Sequence, residues 1–497
     1  MRKFILAMDQ GTTSSKAFLM DRRGEILGES GYPLTQHYPK PGWVEHDPME
    51  IWESQKAACL DVMAKTGVKP KEIETIGITN QRETTVVWER DTGRPITNAI
   101  VWQCRRTSNL CEALKRSGKE ESLREKTGLA VDAYFSGTKL QWILENIPEA
   151  SRRATRGELC FGTVDSWLVY KLTGGKLHVT DFSNASRTML YNIHSLAWDS
   201  EILNWLGIPS HLLPAVRNSS EIYGQTSPDL FGGASIPISA IVGDQQAALF
   251  GQGCFNSGSV KNTYGTGCFV VANTGDRPVP SPDGLLTSLG WGLGNRVTYV
   301  LEGSIFIAGA AVQWLRDEIG LIQDSGEIES LARKVDDNGG VYFVPAFVGL
   351  GAPHWDMYAR GTICGITRGT KAAHLARAII ESMAYQTRDV ITCMEKDAGC
   401  RLEQLRVDGG AAENNLLVQF QADILGIPVM RPKNLQTTAL GAGYLAGLAT
   451  GFWKGLEELG ELETAGELFQ PTMSEGERNE RYRTWLKLVE MAKLWGK

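Results

Sequence analysis

Several spacings that would mark a metal or redox protein are missing. The seven histidines include no HExxH pair, which excludes a zincin. The nine cysteines are scattered, and no two stand at a CxxC spacing, so zinc-ribbon and thioredoxin-type readings fail. An odd, dispersed set reads instead as buried, reduced cysteines of a cytosolic enzyme. No GxxxxGK[ST] element is present, so a Walker A loop is excluded. Positive charge is not in excess: 51 Lys and Arg face 57 Asp and Glu, for a net charge of −6. That balance is a poor match for nucleic acid or an anionic membrane, and neither is expected as a partner. Long hydrophobic runs are also missing. Only five apolar residues separate Met1-Arg2-Lys3 from Asp9, too few for a signal-peptide core. The most apolar later stretch, Tyr299 to Leu315, is interrupted by Glu302 and is too short for a membrane span. A soluble, cytoplasmic protein is expected.

The chain has 497 residues, 42% hydrophobic and 22% charged, a globular profile. At roughly 150 residues per domain, that length suggests two to four domains. Residues 4–8 read as a buried strand, 9–16 as a Gly/Thr turn, 17–20 as a returning strand and 25–30 as the start of a third. Asp47, Pro48 and Glu50 form a helix start, with Asp47 as cap and Glu50 completing a capping box. Residues 73–79 and 84–89 read as strands around the sharp Asn80-Gln81-Arg82-Glu83 connection. The opening pattern recurs about 250 residues later, with Val260 to Tyr264, a Gly265-Thr266-Gly267 turn, and Cys268 to Ala272. Two similar lobes follow, 1–250 and 251–497. A third signal is Leu405 to Ala411, an apolar run ending in Gly409-Gly410. Glu477 to Trp495 reads as a charged amphipathic helix with a solvated face.

Each of these turns alone is an ordinary hairpin. In order they describe two turns from opposite lobes that can clamp a polyphosphate through backbone N–H groups and threonine hydroxyls. The Gly pair at the third strand end lets backbone approach a purine. That is the layout of the actin-like, two-lobed ATPases. Asp244 ends the apolar run Ile236 to Val242 after Gly243, ahead of a helical pattern. The residues alone leave it open between a helix N-cap and a catalytic base.

Segments throughout the chain carry a resemblance. DQGTTSSKA (9–17), PKPGWVEHDPMEIW (39–52), GITNQRETTVVWE (77–89) and NAIVWQCRRT (98–107) resemble the glycerol kinase family. So do YFSGTK (134–139), HVTDFSNASRTML (178–190), GDQQAALFGQ (243–252) and KNTYGTGC (261–268). PAFVGLGAPHWD (345–356), RVDGGAAENN (406–415) and TALGAGYLAG (438–447) continue it. GTICGITRGTKAAHLARAIIES (361–382) is similar to a signature of the wider FGGY carbohydrate kinases. The resemblance implies an α/β fold of two actin-like, ribonuclease-H-type lobes with the active site in the cleft between them. It implies Mg²⁺-dependent, direct in-line transfer from ATP to glycerol, giving ADP and sn-glycerol 3-phosphate, with Asp244 as general base.

By motif position the resemblance implies a glycerol pocket of Arg82, Glu83, Trp102, Tyr134, Asp244, Gln245 and Phe269. Arg82 offers a donor fork and Glu83 an acceptor pair for adjacent hydroxyls, while Trp102 and Phe269 supply apolar walls. The nucleotide would meet Thr12, Thr13, Ser14, Lys16, Thr266, Gly309, Gln313, Gly410 and Asn414, with Asp9 near Mg²⁺. Many family members place Arg where Lys16 stands. A homodimer or homotetramer is the expected assembly. Three rivals remain: a relative acting on xylulose, ribulose or fuculose, a polymerising or chaperone-like actin relative, and a catalytically silent homologue. Arg82-Glu83 with Trp102 and Tyr134 favours glycerol over the first. The polyol pocket argues against the second, and the presence of Asp9, Arg82, Glu83 and Asp244 against the third.

Overall fold

In the computed structural model, residues 3–399, 401–462 and 466–495 are described. Met1, Arg2 and Cys400 lie outside the described residues. The apolar run at the start of the chain is too short for a helix, and it forms Phe4–Gln10 (β1), with Ile5 to Met8 fully buried. Ser14–Met20 (β2) returns antiparallel to it, and Ile26–Pro33 (β3) pairs antiparallel with β2. Ile73–Asn80 (β4) lies parallel to β1. Ser220–Gln225 (β5) is antiparallel to Pro237–Gly243 (β6), which is parallel to β4.

A second set follows: Val260–Tyr264 (β7), Cys268–Gly275 (β8), Leu286–Leu293 (β9), Arg296–Ile305 (β10), Leu405–Asp408 (β11), Val429–Pro432 (β12) and Gly466–Phe469 (β13). All thirteen join one sheet in the order β13-β12-β11-β7-β8-β10-β9-β5-β6-β4-β1-β2-β3. Strands β10-β8-β7-β11-β12 repeat the pattern of β3-β2-β1-β4-β6, three antiparallel strands and then two parallel ones. The recurrence of the Gly/Thr turn is therefore a recurrence of a whole half-sheet. The halves meet at the parallel pair Ser220 and Leu293.

Pro48–Thr66 (α1) starts as expected, with Asp47 Oδ1 accepting from Met49 N at 2.8 Å. Glu50 does not complete a capping box, because its Oε1 accepts instead from Thr35 N at 2.9 Å. The strand expected at 84–89 shortens to Val86–Glu89 and pairs with Leu159–Gly162, outside the main sheet.

Further helices are Asp244–Gly251 (α2), Gly309–Asp317 (α3), Ala372–Ala398 (α4), Asn415–Leu425 (α5), Thr437–Thr450 (α6) and Glu475–Trp495 (α7). Helix α6 belongs to the second half by sequence, yet its Ala439, Leu440, Ala442 and Leu445 share a core with Ile5, Ala7, Ala240 and Val242. The approach is close: a Cβ on Gly441 would lie 1.9 Å from Ala247 O, and one on Gly77 2.2 Å from Ala442 O. Packing thus crosses the chain division near residue 250.

Helix α7 is the charged amphipathic helix expected at this end, with one apolar face docked on the core. It buries Trp485, Leu488, Val489 and Ala492, and Trp485 Nε1 and Tyr482 Oη donate to Asp389 at 2.9 and 2.6 Å. The eight described cysteines are free thiols; six are buried, and Cys364 and Cys393 are half-buried. Among the described residues no helix is long and apolar enough to cross a membrane.

Candidate active site

Three parallel strands of the first half end in register, with Asn80 of β4 beside Gln10 of β1 and Gly243 of β6. The chain leaves these ends as the Gly11-Thr12-Thr13 turn, the Arg82-Glu83 pair and Asp244. Carboxyl ends of parallel strands are where ligands collect in open α/β sheets. In the second half Thr263 of β7 pairs with Asp408 of β11, so the Gly265-Thr266-Gly267 turn and Gly409-Gly410 also emerge together.

The side expected to take the polyol is buried and charged. Arg82 is 3% exposed and Glu83 1%. Arg82 places Nη1 and Nη2 on the two carboxylate oxygens of Glu302, at 2.6 and 3.0 Å. Its Nε lies 3.2 Å from Asp244 Oδ1, and Nη1 also donates to Gln246 Oε1 at 3.2 Å. Most of the donor fork expected to face hydroxyls is therefore occupied by protein acceptors. Glu83 Oε1 accepts from Arg187 Nε at 2.6 Å, and Arg187 Nη2 reaches Glu302 Oε1 at 3.3 Å. Glu83 also adopts φ 60°, a left-handed conformation that costs a non-glycine residue about 1–2 kcal/mol. The sharp turn after β4 holds it there.

Burial would raise Glu302, yet the Arg187 and Arg82 guanidiniums hold its carboxyl down to about 2. Burial pushes Glu83 and Asp244 upward, opposed by Arg187 and Arg82 at Glu83 and by Arg82 and the Gln245 N–H at Asp244. Asp244 is the first residue of α2 and Gly243 its N-cap, so the capping alternative for Asp244 does not hold. The Asp244 side chain is 30% exposed. Gln245 Oε1 accepts from Lys261 Nζ at 2.5 Å, which turns the Gln245 amide donors away from the lysine. Burial brings Lys261 down to about 8, against the pull of Asp408 and Glu302.

Pleat and register set Lys261, Phe269 and Glu302 on one face of the second half-sheet. Phe269 is half-buried there. The Trp102 and Tyr134 rings meet edge-on with centroids 5.5 Å apart. Behind the strand ends, Ser183 Oγ accepts from Gly243 N at 2.8 Å, and Asn184 and Asn80 exchange amide hydrogen bonds at 2.9 and 3.1 Å.

The side expected to take the nucleotide is less buried and centres on two backbone turns. Thr13, Gly265, Thr266, Gln313 and Gly410 are exposed; Thr12, Ser14, Lys16, Gly309 and Asn414 are half-buried. Thr12 Oγ1 accepts from Trp102 Nε1 at 2.9 Å, joining the first turn to the polyol wall. Gly309 N donates to Gly265 O at 3.0 Å, and a Cβ on Gly309 would lie 2.7 Å from that oxygen. The start of α3 thus lies against the second turn, with Gln313 one helical turn on. Asn414 caps α5 through Leu417 N at 2.9 Å, which commits its carbonyl oxygen. Gly409, at φ 84°, packs where a Cβ would meet Tyr264 O at 2.4 Å, while Gly410 has open space above it. Of the pair, Gly410 is the one free to face a base.

Asp9 lies at the end of β1. Burial and the facing Asp244 push its carboxyl up to about 7, with Lys16 opposing. Two carboxyls that disfavour each other's charge suit a divalent cation. Among the described residues no group of three or more His, Cys, Asp or Glu side chains forms a cage. Mg²⁺ needs none, since it takes one or two carboxylates and fills its octahedron with phosphate oxygens and water.

The family models place this geometry. Residues 4–251 match the N-terminal domain of the FGGY family of carbohydrate kinases, and residues 260–450 match its C-terminal domain. The chain belongs to the FGGY carbohydrate kinases. Within the family it is 60% identical over 494 residues to the glycerol kinase of Carboxydothermus hydrogenoformans, covering 99% of each chain. It is 60% identical over 492 residues to that of Symbiobacterium thermophilum, again covering 99% of each. Its structure is similar to that of Plasmodium falciparum glycerol kinase with ADP, with TM-score 0.93, 35% identity and 98% of each chain covered. A xylulose kinase from Lactobacillus acidophilus, with TM-score 0.86 and 23% identity over 99% and 97% of the chains, shares the fold.

Sequence reasoning missed Arg187, Glu302, Lys261 and Gln246 as parts of this FGGY site. Arg187 stood within the segment 178–190 with no role assigned. Glu302 had a visible signal, a lone charge in an apolar strand run, and that signal had served only to exclude a membrane span.

Proposed function

We propose that the chain transfers the γ-phosphoryl group of ATP to a terminal hydroxyl of glycerol, giving ADP and sn-glycerol 3-phosphate. The observation that carries this reading is Asp244, 30% exposed and 3.2 Å from Arg82, at the same strand ends as Glu83 and the first Gly/Thr turn. Glycerol is neutral and rich in hydroxyls, and the polyol wall supplies aimed donors and acceptors against aromatic faces. Asp244 takes the hydroxyl proton as the glycerol oxygen forms its bond to the γ-phosphorus and the bond to the β,γ-bridging oxygen breaks. The lift that burial gives Asp244 makes it a stronger base than an exposed aspartate.

Thr12, Thr13, Ser14 and Thr266, with the backbone N–H groups of the two turns, steady the phosphates from both sides. Lys16 offsets phosphate charge. Gly309, Gln313, Gly410 and Asn414 border the nucleoside. Asp9 is the residue that would hold Mg²⁺, which supplies charge neutralisation across the β- and γ-phosphates when bound. Transfer is direct and in line, with no phosphoenzyme. The activity is the entry step of glycerol catabolism in the cytoplasm, carried out by a homodimer or homotetramer divided into lobes near residue 250.

A coupled assay with ATP, Mg²⁺ and a panel of polyols tests the reading. Glycerol is expected to give the highest kcat/KM. Faster turnover of xylulose or ribulose would overturn the substrate and leave the fold assignment intact.

A further inference from the structure

Four charged side chains, Arg82, Glu83, Arg187 and Glu302, are buried together at the base of the cleft, each at most 3% exposed. They come from three places: the turn after β4, the segment following Phe182–Ala185, and β10 of the second half. Charge cancels within the set, but cancellation does not require this geometry. Burying ion pairs is commonly no better for stability than apolar packing of the same volume. The arrangement is also directional. Arg187 gives Nε to Oε1 of Glu83, and no described residue donates to the other oxygen, Oε2. Glu302 accepts two parallel bonds from Arg82 and one from Arg187, so a single carboxylate orients both guanidinium planes. The Arg187 guanidinium lies 5.4 Å from the centroid of Tyr134, a ring of the same wall, and its Nη1 is buried without a partner.

We propose that Arg187 and Glu302 are positioning residues for the polyol. Glu302, carried by the second half, sets the planes of Arg82 and Arg187. Arg187 in turn occupies one oxygen of Glu83, so that Oε2 faces the substrate as a fixed acceptor. The second half thereby shapes the pocket of the first. This inference rests on the glycerol pocket proposed above.

Arg187→Lys keeps the charge and removes the fork, a change that is not conservative where two planar bonds are made. In the full-length protein, glycerol KM is expected to rise about ten- to a hundredfold, the range for losing a bond to a charged group. The ADP dissociation constant should stay within about threefold, because uniform damage would move both. Glycerol KM within about threefold of wild type would overturn the proposal. So would parallel losses in glycerol and ADP binding, which mark a purely structural role. If Arg187→Lys does not fold, Glu302→Asp is read the same way; loss of folding in both assigns the pair to stability and also overturns it. Wild-type protein that phosphorylates another polyol but not glycerol would overturn the substrate reading alone, and the same comparison then runs on that polyol.

Discussion

The two walls proposed for the cleft, one for the polyol and one for the nucleotide, are built from different materials. The polyol wall holds Arg82, Glu83, Arg187 and Glu302 in a buried lattice whose partners lie up to 220 residues apart in sequence. The proposed nucleotide wall mixes exposed and half-buried residues and presents backbone at two turns, with local bonds such as Gly11 N to Ser14 O and Gly265 N to Gly267 O beside longer-range ones such as Gly309 N to Gly265 O. A small neutral substrate offers little binding energy per group, so its donors and acceptors must be held in advance. A polyphosphate carries enough charge to be held by N–H groups, hydroxyls and a cation on a looser frame. Side-chain substitutions should therefore damage the first wall selectively and the second only mildly.

The largest expected effect is at the junction of the walls. Asp244→Asn keeps the shape but removes the proton acceptor, and kcat should fall about 10²–10⁴-fold while ADP still binds. Rapid-quench measurement of ADP formation would detect it. A loss below about tenfold would move Asp244 from base to positioning group.

An intermediate effect concerns the cation. Asp9 sits at about 7 and must lose its proton to hold Mg²⁺, so apparent Mg²⁺ affinity should fall as pH drops from about 8 to 6. The slope should approach about tenfold per unit below 7 and vanish in Asp9→Asn. Because the folded carboxyl is raised, its contribution to stability is complete below the unfolded value of 3.8 and is lost as pH rises through about 7. Mg²⁺ with ADP should restore that loss, which thermal melts at several pH values would show.

The smallest effect is on the open wall. Thr266→Ala removes one hydroxyl and leaves the N–H groups of its turn, so ATP KM should rise only about two- to tenfold. Glycerol KM should not change. A hundredfold rise would mean that the threonine side chain, not backbone, carries the second turn.

Legibility in the sequence followed the same divide. The Gly/Thr turns expected at 9–16 and 265–267 were readable because glycine spacing and apolar runs are local signals, though the first tightens to 11–13 as β1 runs on to Gln10 and β2 starts at Ser14. The sharp connection after residue 79 and the end of the apolar run at Gly243 are local signals too, whereas the roles given to Arg82, Glu83 and Asp244 came from the family resemblance. The roles of Arg187 and Glu302 were not readable, because each is defined by a partner brought near only by the assembled sheet. Arg82 was misjudged in part: its fork was assigned to substrate hydroxyls, whereas Glu302 takes two of its bonds. Helix α7 was legible as a charged amphipathic helix, but the partners of its apolar face were not, because Asp389 and the core that covers Trp485 lie far away in sequence.

The most direct test of this division is a pair of dissociation constants, for glycerol and for ADP, measured by titration calorimetry on wild-type protein and Glu83→Ala. Removing Glu83 deletes the pocket acceptor and leaves Arg187 without its 2.6 Å partner, so glycerol binding should weaken about ten- to a hundredfold. ADP binding should remain within about twofold. Equal weakening of both ligands would contradict the account, because it would show one shared frame where two separable walls are claimed.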